Sequence, residues 1–141
     1  MGDPLSVASG IIATLQLAAT TTKYLKDLRS GSSDRTKLRD ELRNLVCLVE
    51  MLQDRVDDME SGVQDTVGIS MGHLASPEGP IAQFQKLLED ISGKLRPRVG
   101  GLQPLAQSVA WPFDKKAVQE MLNTVERLKG HFHLVIQNDL V

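Results

Sequence analysis

The residues that could support catalysis or bind a metal are few: His73, His131, His133 and the single cysteine, Cys47. His131 and His133 lie two residues apart, so on a helix they point to different faces and cannot share one metal ion. Cys47 lies inside an apolar helical pattern, where we expect a buried thiol with no nucleophilic role. The sequence contains no HExxH, CxxC, GxSxG or phosphate-loop motif. We therefore predict a protein that is not an enzyme and that uses no metal and no cofactor.

The composition limits both the fold and the partners. Of the 141 residues, 41% are apolar and only 4% are aromatic, so aliphatic side chains must fill the core, as they do in helix bundles. The length fits a single domain over residues 1–141. The net charge of −2 provides no basic footprint for nucleic acid. A single cysteine, and no basic segment before the first apolar stretch, predict a cytoplasmic location.

A first helix is predicted from Asp3-Pro4, a capping residue followed by a proline suited to the first turn. Its predicted apolar stripe comprises Leu5, Ala8, Ile12, Leu15 and Ala19, widened by Val7, Ile11 and Ala18. No residue from Leu5 to Thr22 is charged, and about 20 apolar residues suffice to span a bilayer. Gln16 and several threonines make a permanent span too polar. We expect a helix that packs at rest against the second and last helices and inserts when released; an ordinary buried bundle helix is the alternative.

The second helix, capped by Ser33 or Asp34, carries the most regular pattern in the chain. Apolar residues recur at alternating spacings of four and three, which is typical of a helix-packing seam. The seam comprises Leu38, Leu42, Leu45, Val49, Leu52, Val56 and Met59. It can serve packing within the chain or oligomerisation with another copy.

The remaining chain predicts two further long helices and one short one. Residues 63–79 are weakly patterned and form a connection before a helix that opens at Pro80. Residues 102–110 form the short helix, Trp111 and Phe113 anchor a turn, and Asp114 caps the last helix. The predicted stripes are Ile81, Phe84, Leu87, Leu88, Ile91 and Leu95, then Val118, Met121, Val125, Leu128, Phe132 and Val135, with Leu122 and Ile136 alongside. The fold class is therefore all-α, a four-helix bundle with an additional short helix, and we expect more protein to follow residue 141.

Charge is distributed unevenly along the first two helices. Residues 23–43 carry seven Lys or Arg and four Asp or Glu, whereas residues 50–65 carry six acids and one Arg. An antiparallel hairpin would thus have a basic turn and an acidic open end. The basic turn is suited to anionic lipid headgroups, although ordinary solvated charge is the alternative. The candidate headgroup residues are Lys23, Lys26, Arg29, Arg35 and Lys37.

Six segments carry a resemblance to a known family. They are residues 3–13 (DPLSVASGIIA), 23–28 (KYLKDL), 77–80 (PEGP), 111–116 (WPFDKK), 125–128 (VERL) and 137–139 (QND). Together they resemble the fungal HeLo-like domains at the N-terminus of STAND or NLR-like receptors and of amyloid-signalling proteins.

The resemblance implies an effector domain in fungal innate immunity, heterokaryon incompatibility and programmed cell death. In such domains, oligomerisation exposes the N-terminal helix, which then disrupts the plasma membrane. The family's membrane-inserting segment falls on Leu5, Val7, Ile11, Ile12 and Leu15. The implied partners are other copies of the chain, anionic membrane lipids and downstream regulatory domains, with conditional recruitment to the plasma membrane. A non-lytic protein-interaction or oligomerisation module is the alternative, and a ligand-binding bundle would rest only on residues 63–79.

Overall fold

The computed structural model of the chain describes residues 4–28, 32–60, 79–95 and 111–139. These residues form four α-helices and no strand, so the all-α prediction is confirmed. The helices are α1 (Pro4–Asp27), α2 (Ser32–Glu60), α3 (Pro80–Leu95) and α4 (Lys115–Asp139). The predicted short helix over 102–110 lies outside the described residues, as does most of the predicted connection over 63–79.

Local sequence signals account for the helix ends. α1 and α3 begin at Pro4 and Pro80, where a proline needs no amide partner. The Ala117 amide donates to Asp114 Oδ1 at 2.7 Å, which confirms Asp114 as the cap of α4. α2 begins at Ser32, so Ser33 and Asp34, which were predicted as alternative caps, lie inside the first turn of the helix.

The helices form a ring in which α1 packs against α2 and α3, and α4 packs against the same two helices. α1 and α2 run antiparallel, since Leu15 lies near Glu50 and Lys26 lies near Arg39. The expectation that α1 packs against the seam of α2 is confirmed. Its expected second neighbour was wrong: α1 lies against α3, while the last helix sits across the bundle.

The predicted seam of α2 forms the centre of the core. Its side chains from Leu38 to Val56 are at most 1% exposed, and the side chain of Met59 lies outside the described residues. All six apolar residues predicted for α3 are buried. α4 buries Val118, Leu122, Val125, Leu128, Phe132 and Ile136. The Phe84 and Phe132 rings meet edge to face at 6.4 Å between centroids, which links α3 to α4.

The buried stripe of α1 differs from the predicted one. It comprises Ile11, Thr14, Ala18, Thr21 and Leu25, all fully buried. Ile12 and Ala19, which were assigned to the centre of the stripe, are exposed. The prediction was wrong by about one position because it counted apolar side chains only and so rejected the two threonines. Their hydroxyls are hydrogen-bonded within the helix, which allows them to be buried.

Candidate functional site

The outer face of α1 is uncharged over three turns. Its exposed residues from the first described side chains to the basic end are Ser9, Ile12, Ala13, Gln16, Ala19 and Thr20. Ile12 is 47% exposed, although isoleucine is among the residues most often buried. A face with no charge and an exposed isoleucine differs from the usual solvated face of a bundle helix.

The five residues predicted to insert into a membrane do not share one face. Ile11 is fully buried in the core, Ile12 is exposed, and Leu15 is half-buried between α1 and α2. The side chains of Leu5 and Val7 lie outside the described residues. In the closed bundle, therefore, Ile12 is the one fully outward-facing member among the described side chains of this set.

The threonines of α1 make their hydrogen bonds inside the helix. The hydroxyls of Thr14, Thr20, Thr21 and Thr22 donate to backbone carbonyls four residues earlier, at 2.7, 3.2, 2.8 and 2.9 Å. A hydroxyl that is already paired costs much less to move into an apolar environment than a free one. The polarity of α1 is thus lower in effect than its composition indicates.

A single glutamine of α3 holds α1 by hydrogen bonds. Gln85 Nε2 donates to Thr14 Oγ1 at 2.9 Å and to the Gly10 carbonyl at 3.3 Å. The same glycine faces Ile81, because a Cβ at Gly10 would lie 3.7 Å from Ile81 Cγ2. The contact between α1 and α3 is therefore close and partly polar.

Four cationic side chains line an open groove at the end of α1. Lys23 and Lys26 of α1 face Arg39 and Arg43 of α2, with Asp27 as the one carboxylate of the lining. We call these residues the basic groove. The prediction from sequence included Lys23 and Lys26 among the headgroup candidates but left out Arg39 and Arg43. The spacing of four between Arg39 and Arg43, which puts both on one face of α2, is the signal that could have found them.

Arg35 and Lys37, which were also predicted to bind headgroups, lie outside the basic groove. Arg35 Nη1 donates to the Leu25 carbonyl at 2.8 Å, so its guanidinium caps the last turn of α1. Lys37 lines a separate hollow with Ser33, Thr36, Asp40 and Glu41. Arg29 lies outside the described residues. Of the four predicted headgroup residues that the structure describes, two therefore lie together, Lys23 and Lys26.

The basic groove continues into a more apolar one between the same two helices. Leu15, Val46 and Cys47 line this second part together with Glu50 at its far end. We call it the apolar groove. Cys47 is exposed, so the prediction of a buried thiol was wrong. The residue lies two positions past Leu45 of the seam, about 200° around the helix, which turns it away from the core.

The acidic half of α2 lies beside the amino-terminal half of α1. Glu50, Asp54 and Asp57 are all exposed, and the antiparallel packing places them at the opposite end from the basic groove. An anionic membrane would repel this end of the closed bundle.

An ion-pair cluster joins α2 to α4 away from α1. Lys129 Nζ lies 2.9 Å from Glu41 Oε1 and 2.8 Å from Glu126 Oε2. The hydrogen bond from Lys129 lowers the pKa of Glu126, and the hydrogen bonds to Glu126 and Glu41 raise the pKa of Lys129. The cluster holds the α2–α4 pair together and leaves α1 out of it.

Two results concern membranes and relatives. Over the described ranges, no helix combines the length and the hydropathy that crossing a bilayer requires. Comparison of the chain with models of known protein families, with curated proteins and with solved structures finds no match.

Proposed function

We propose that the chain is an N-terminal effector domain of HeLo-like type from a fungal NLR-like or amyloid-signalling protein. It acts by oligomerising and by targeting and permeabilising the plasma membrane in regulated cell death. The observation that carries the proposal is the outer face of α1, which is uncharged from Ser9 to Thr20 and exposes Ile12. Oligomerisation matters because clustered segments of modest membrane affinity bind together far more tightly than one alone.

The state of the threonines supports insertion of α1. Their hydroxyls are paired to the helix backbone, so a released α1 carries few unpaired polar groups into lipid. Ser9 and Gln16 are exceptions, since their exposed side chains must find partners at the interface or on another copy. Clustering of several α1 helices would supply such partners, because amide side chains hydrogen-bond between helices in membranes.

The charge distribution supports a release step before insertion. The basic groove, with Lys23 and Lys26, approaches an anionic surface, whereas Glu50 and Asp54 beside the start of α1 are repelled by it. Separation of α1 from α2 would remove these carboxylates from the inserting segment. The hydrogen bonds from Gln85 and the burial of Ile11 and Leu25 oppose that separation.

The test is dye leakage from liposomes that contain anionic phospholipid, comparing the wild type with Ile12→Asp. We expect leakage from the wild type and none from the variant, because an acid at the centre of an inserted helix costs about 2.5–3.5 kcal/mol. Since Ile12 is 47% exposed, the variant should stay folded, which circular dichroism checks.

The matched control is Leu134→Asp, which introduces the same charge at another exposed apolar residue. Leu134 lies on α4 and is 58% exposed, so the variant should fold and should leak dye like the wild type. Equal leakage from wild type and a folded Ile12→Asp variant would refute insertion of α1. Equal loss in both variants would show that α1 is not the specific membrane element.

The alternative function is a non-lytic interaction module. Met51 of α2 and Leu134 of α4 are 45% and 58% exposed on helices other than α1, and either could add apolar area to a contact between copies of the chain. The seam of α2 cannot serve this role in the closed bundle, because its side chains are buried within the chain. This alternative predicts a stable oligomer in sedimentation, weakened by Leu134→Asp, with no flotation on liposomes.

A further inference from the structure

We propose that the groove between α1 and α2 of the closed bundle binds a single-chain phosphate amphiphile. The phosphate headgroup occupies the basic groove, and the alkyl chain lies along the apolar groove. The inference takes the ligand class, an anionic lipid, from the proposed function. It concerns the resting bundle, however, and needs neither release of α1 nor insertion.

The two grooves are one continuous site. Ala19, Thr22 and Arg43 line both of them, so the cationic lining passes directly into the apolar lining. Their volumes are about 530 and 370 Å³, each within the range of roughly 300–1,000 Å³ that is usual for small-molecule sites. A ligand that fills both parts must therefore be anionic at one end and apolar along its length.

The Lys and Arg side chains of the basic groove can donate hydrogen bonds to a phosphate. Four cationic side chains face one carboxylate, Asp27, in the lining. Arg39 also pairs with Asp40 outside that lining, but Arg39 Nη2 lies 3.6 Å from Asp40 Oδ1, which is longer than a hydrogen bond. A phosphate oxygen would make charge-assisted hydrogen bonds with these groups, which are stronger than neutral ones.

The apolar part fixes the orientation of the ligand. Leu15 and Val46 are half-buried and, with Ala19, form the wall along which an alkyl chain would lie. The hydroxyl of Thr22 donates to the Ala18 and Ala19 carbonyls, so it asks for no polar partner from the ligand. Glu50 at the far end repels an anion, which excludes the reversed orientation.

Binding here has a consequence for the bundle. Because the ligand contacts α1 and α2 together, it binds the closed state and stabilises it relative to a state with α1 released. The groove therefore recruits the resting bundle to an anionic lipid, and a separate event releases α1.

Cys47 supplies the measurement, since it is the only cysteine in the sequence and lies exposed in the apolar groove. The rate at which the full chain reacts with N-ethylmaleimide is followed by mass spectrometry with decyl phosphate below its micelle concentration. We expect the rate to fall about fivefold when four-fifths of the sites are occupied. Inorganic phosphate lacks the chain and decyl phosphocholine lacks net charge, so neither should protect the thiol at the same concentration.

A pair of variants tests the headgroup position. The Lys23→Glu/Lys26→Glu variant should bind decyl phosphate at least about tenfold more weakly than the wild type, because each reversed charge repels the phosphate. Decyl phosphate should therefore no longer protect Cys47 in this variant at the same concentration. Lys115→Glu/Lys116→Glu makes the same change of net charge at exposed residues of α4 outside the groove and should keep the protection. All four substituted lysines are exposed, and circular dichroism checks folding.

Three results would overturn the inference: no protection by decyl phosphate, equal protection by inorganic phosphate or decyl phosphocholine, or full protection of the folded Lys23→Glu/Lys26→Glu variant. The assay contains no vesicle, so its result is independent of dye leakage. Protection of Cys47 without dye leakage would support the groove as a lipid site and refute the permeabilising function. Dye leakage without protection would support the permeabilising function and refute the groove as a lipid site.

Discussion

The first two helices pack against each other, yet they are built differently. α2 buries six large aliphatic side chains in one seam and turns charged residues outward. α1 buries Ile11 and Leu25 but fills the rest of its described stripe with Thr14, Ala18 and Thr21, and its outer face carries no charge between Ser9 and Thr20.

The difference concerns how firmly each helix is held. The buried apolar area of Leu side chains exceeds that of Ala and Thr, and burial contributes about 25 cal/mol per Å². Removal of α2 from the core therefore costs far more than removal of α1. The solvated charges on α2 also disfavour lipid, whereas the outer face of α1 tolerates either environment. Among the described side chains, α1 is accordingly the helix with the less apolar buried stripe and the less charged outer face, and the proposed release step assigns release to it.

The largest expected effect lies in the seam. Leu45→Ala removes a fully buried side chain from α2 and should lower the free energy of unfolding by about 2–5 kcal/mol. Urea denaturation of wild type and variant measures the change. A loss below about 1 kcal/mol would show that α2 does not organise the core, and the contrast between the helices would fail.

A smaller effect is expected where α3 holds α1. Gln85→Ala removes the hydrogen bonds to Thr14 Oγ1 and the Gly10 carbonyl, each worth about 0.5–1.5 kcal/mol. Hydrogen exchange of the α1 amides should therefore accelerate roughly 5–150-fold, while the seam amides of α2 change little. The control is Gln119→Ala on α4, which removes only an exposed hydrogen bond to Asn123 within that helix. Equal acceleration of α1 and α2 would indicate global destabilisation instead of local release.

The smallest expected effect concerns the α2–α4 pair, which leaves α1 untouched. Lys129→Met removes both ion pairs and should lower Tm by about 2–5 °C near neutral pH. Because the folded pKa of Glu126 lies below its ordinary value of 4.5, the stability due to its pairing is present above that pH. It is lost as the pH falls through the lowered pKa.

At alkaline pH, the stability that the Lys129 ion pairs contribute decreases as the pH rises, which is the opposite direction from the acid side. The folded pKa of Lys129 lies above its ordinary value of 10.5, so its contribution is complete below that pH and disappears as the pH rises through the raised pKa. The Tm difference between wild type and Lys129→Met should thus be flat from about pH 5 to 10 and shrink at both extremes. A difference that is independent of pH throughout would assign the effect to packing of the lysine stem.

The sequence predicted the elements that rest on strong local signals. The seam from Leu38 to Val56 repeats so regularly that one helix face is fixed, and Pro80 and Asp114 mark helix starts through their backbone chemistry. The existence of an uncharged first helix followed in the same way from residue types.

The face of α1 and the groove could not be predicted in the same way. The stripe of α1 depends on hydroxyl hydrogen bonds that make Thr14 and Thr21 buriable, which apolar counting ignores. The groove depends on the register between α1 and α2, which sets Lys23 and Lys26 opposite Arg39 and Arg43. That register is decided by packing across the interface and is not encoded in either helix alone.

A variant in which a disulfide locks α1 onto α3 tests most directly whether α1 must be released before the membrane is attacked. Gly10 and Ile81 face each other across the contact between α1 and α3, since a Cβ at Gly10 would lie 3.7 Å from Ile81 Cγ2. Cysteines at these two positions are therefore used to form a disulfide between the helices, and mass spectrometry verifies that it has formed. The variant is Gly10→Cys/Ile81→Cys in a Cys47→Ser background, and its leakage of anionic liposomes is measured before and after reduction. We expect no leakage from the oxidised protein and leakage once the reductant frees α1. Equal leakage from both forms would contradict the claim that release of α1 precedes membrane attack.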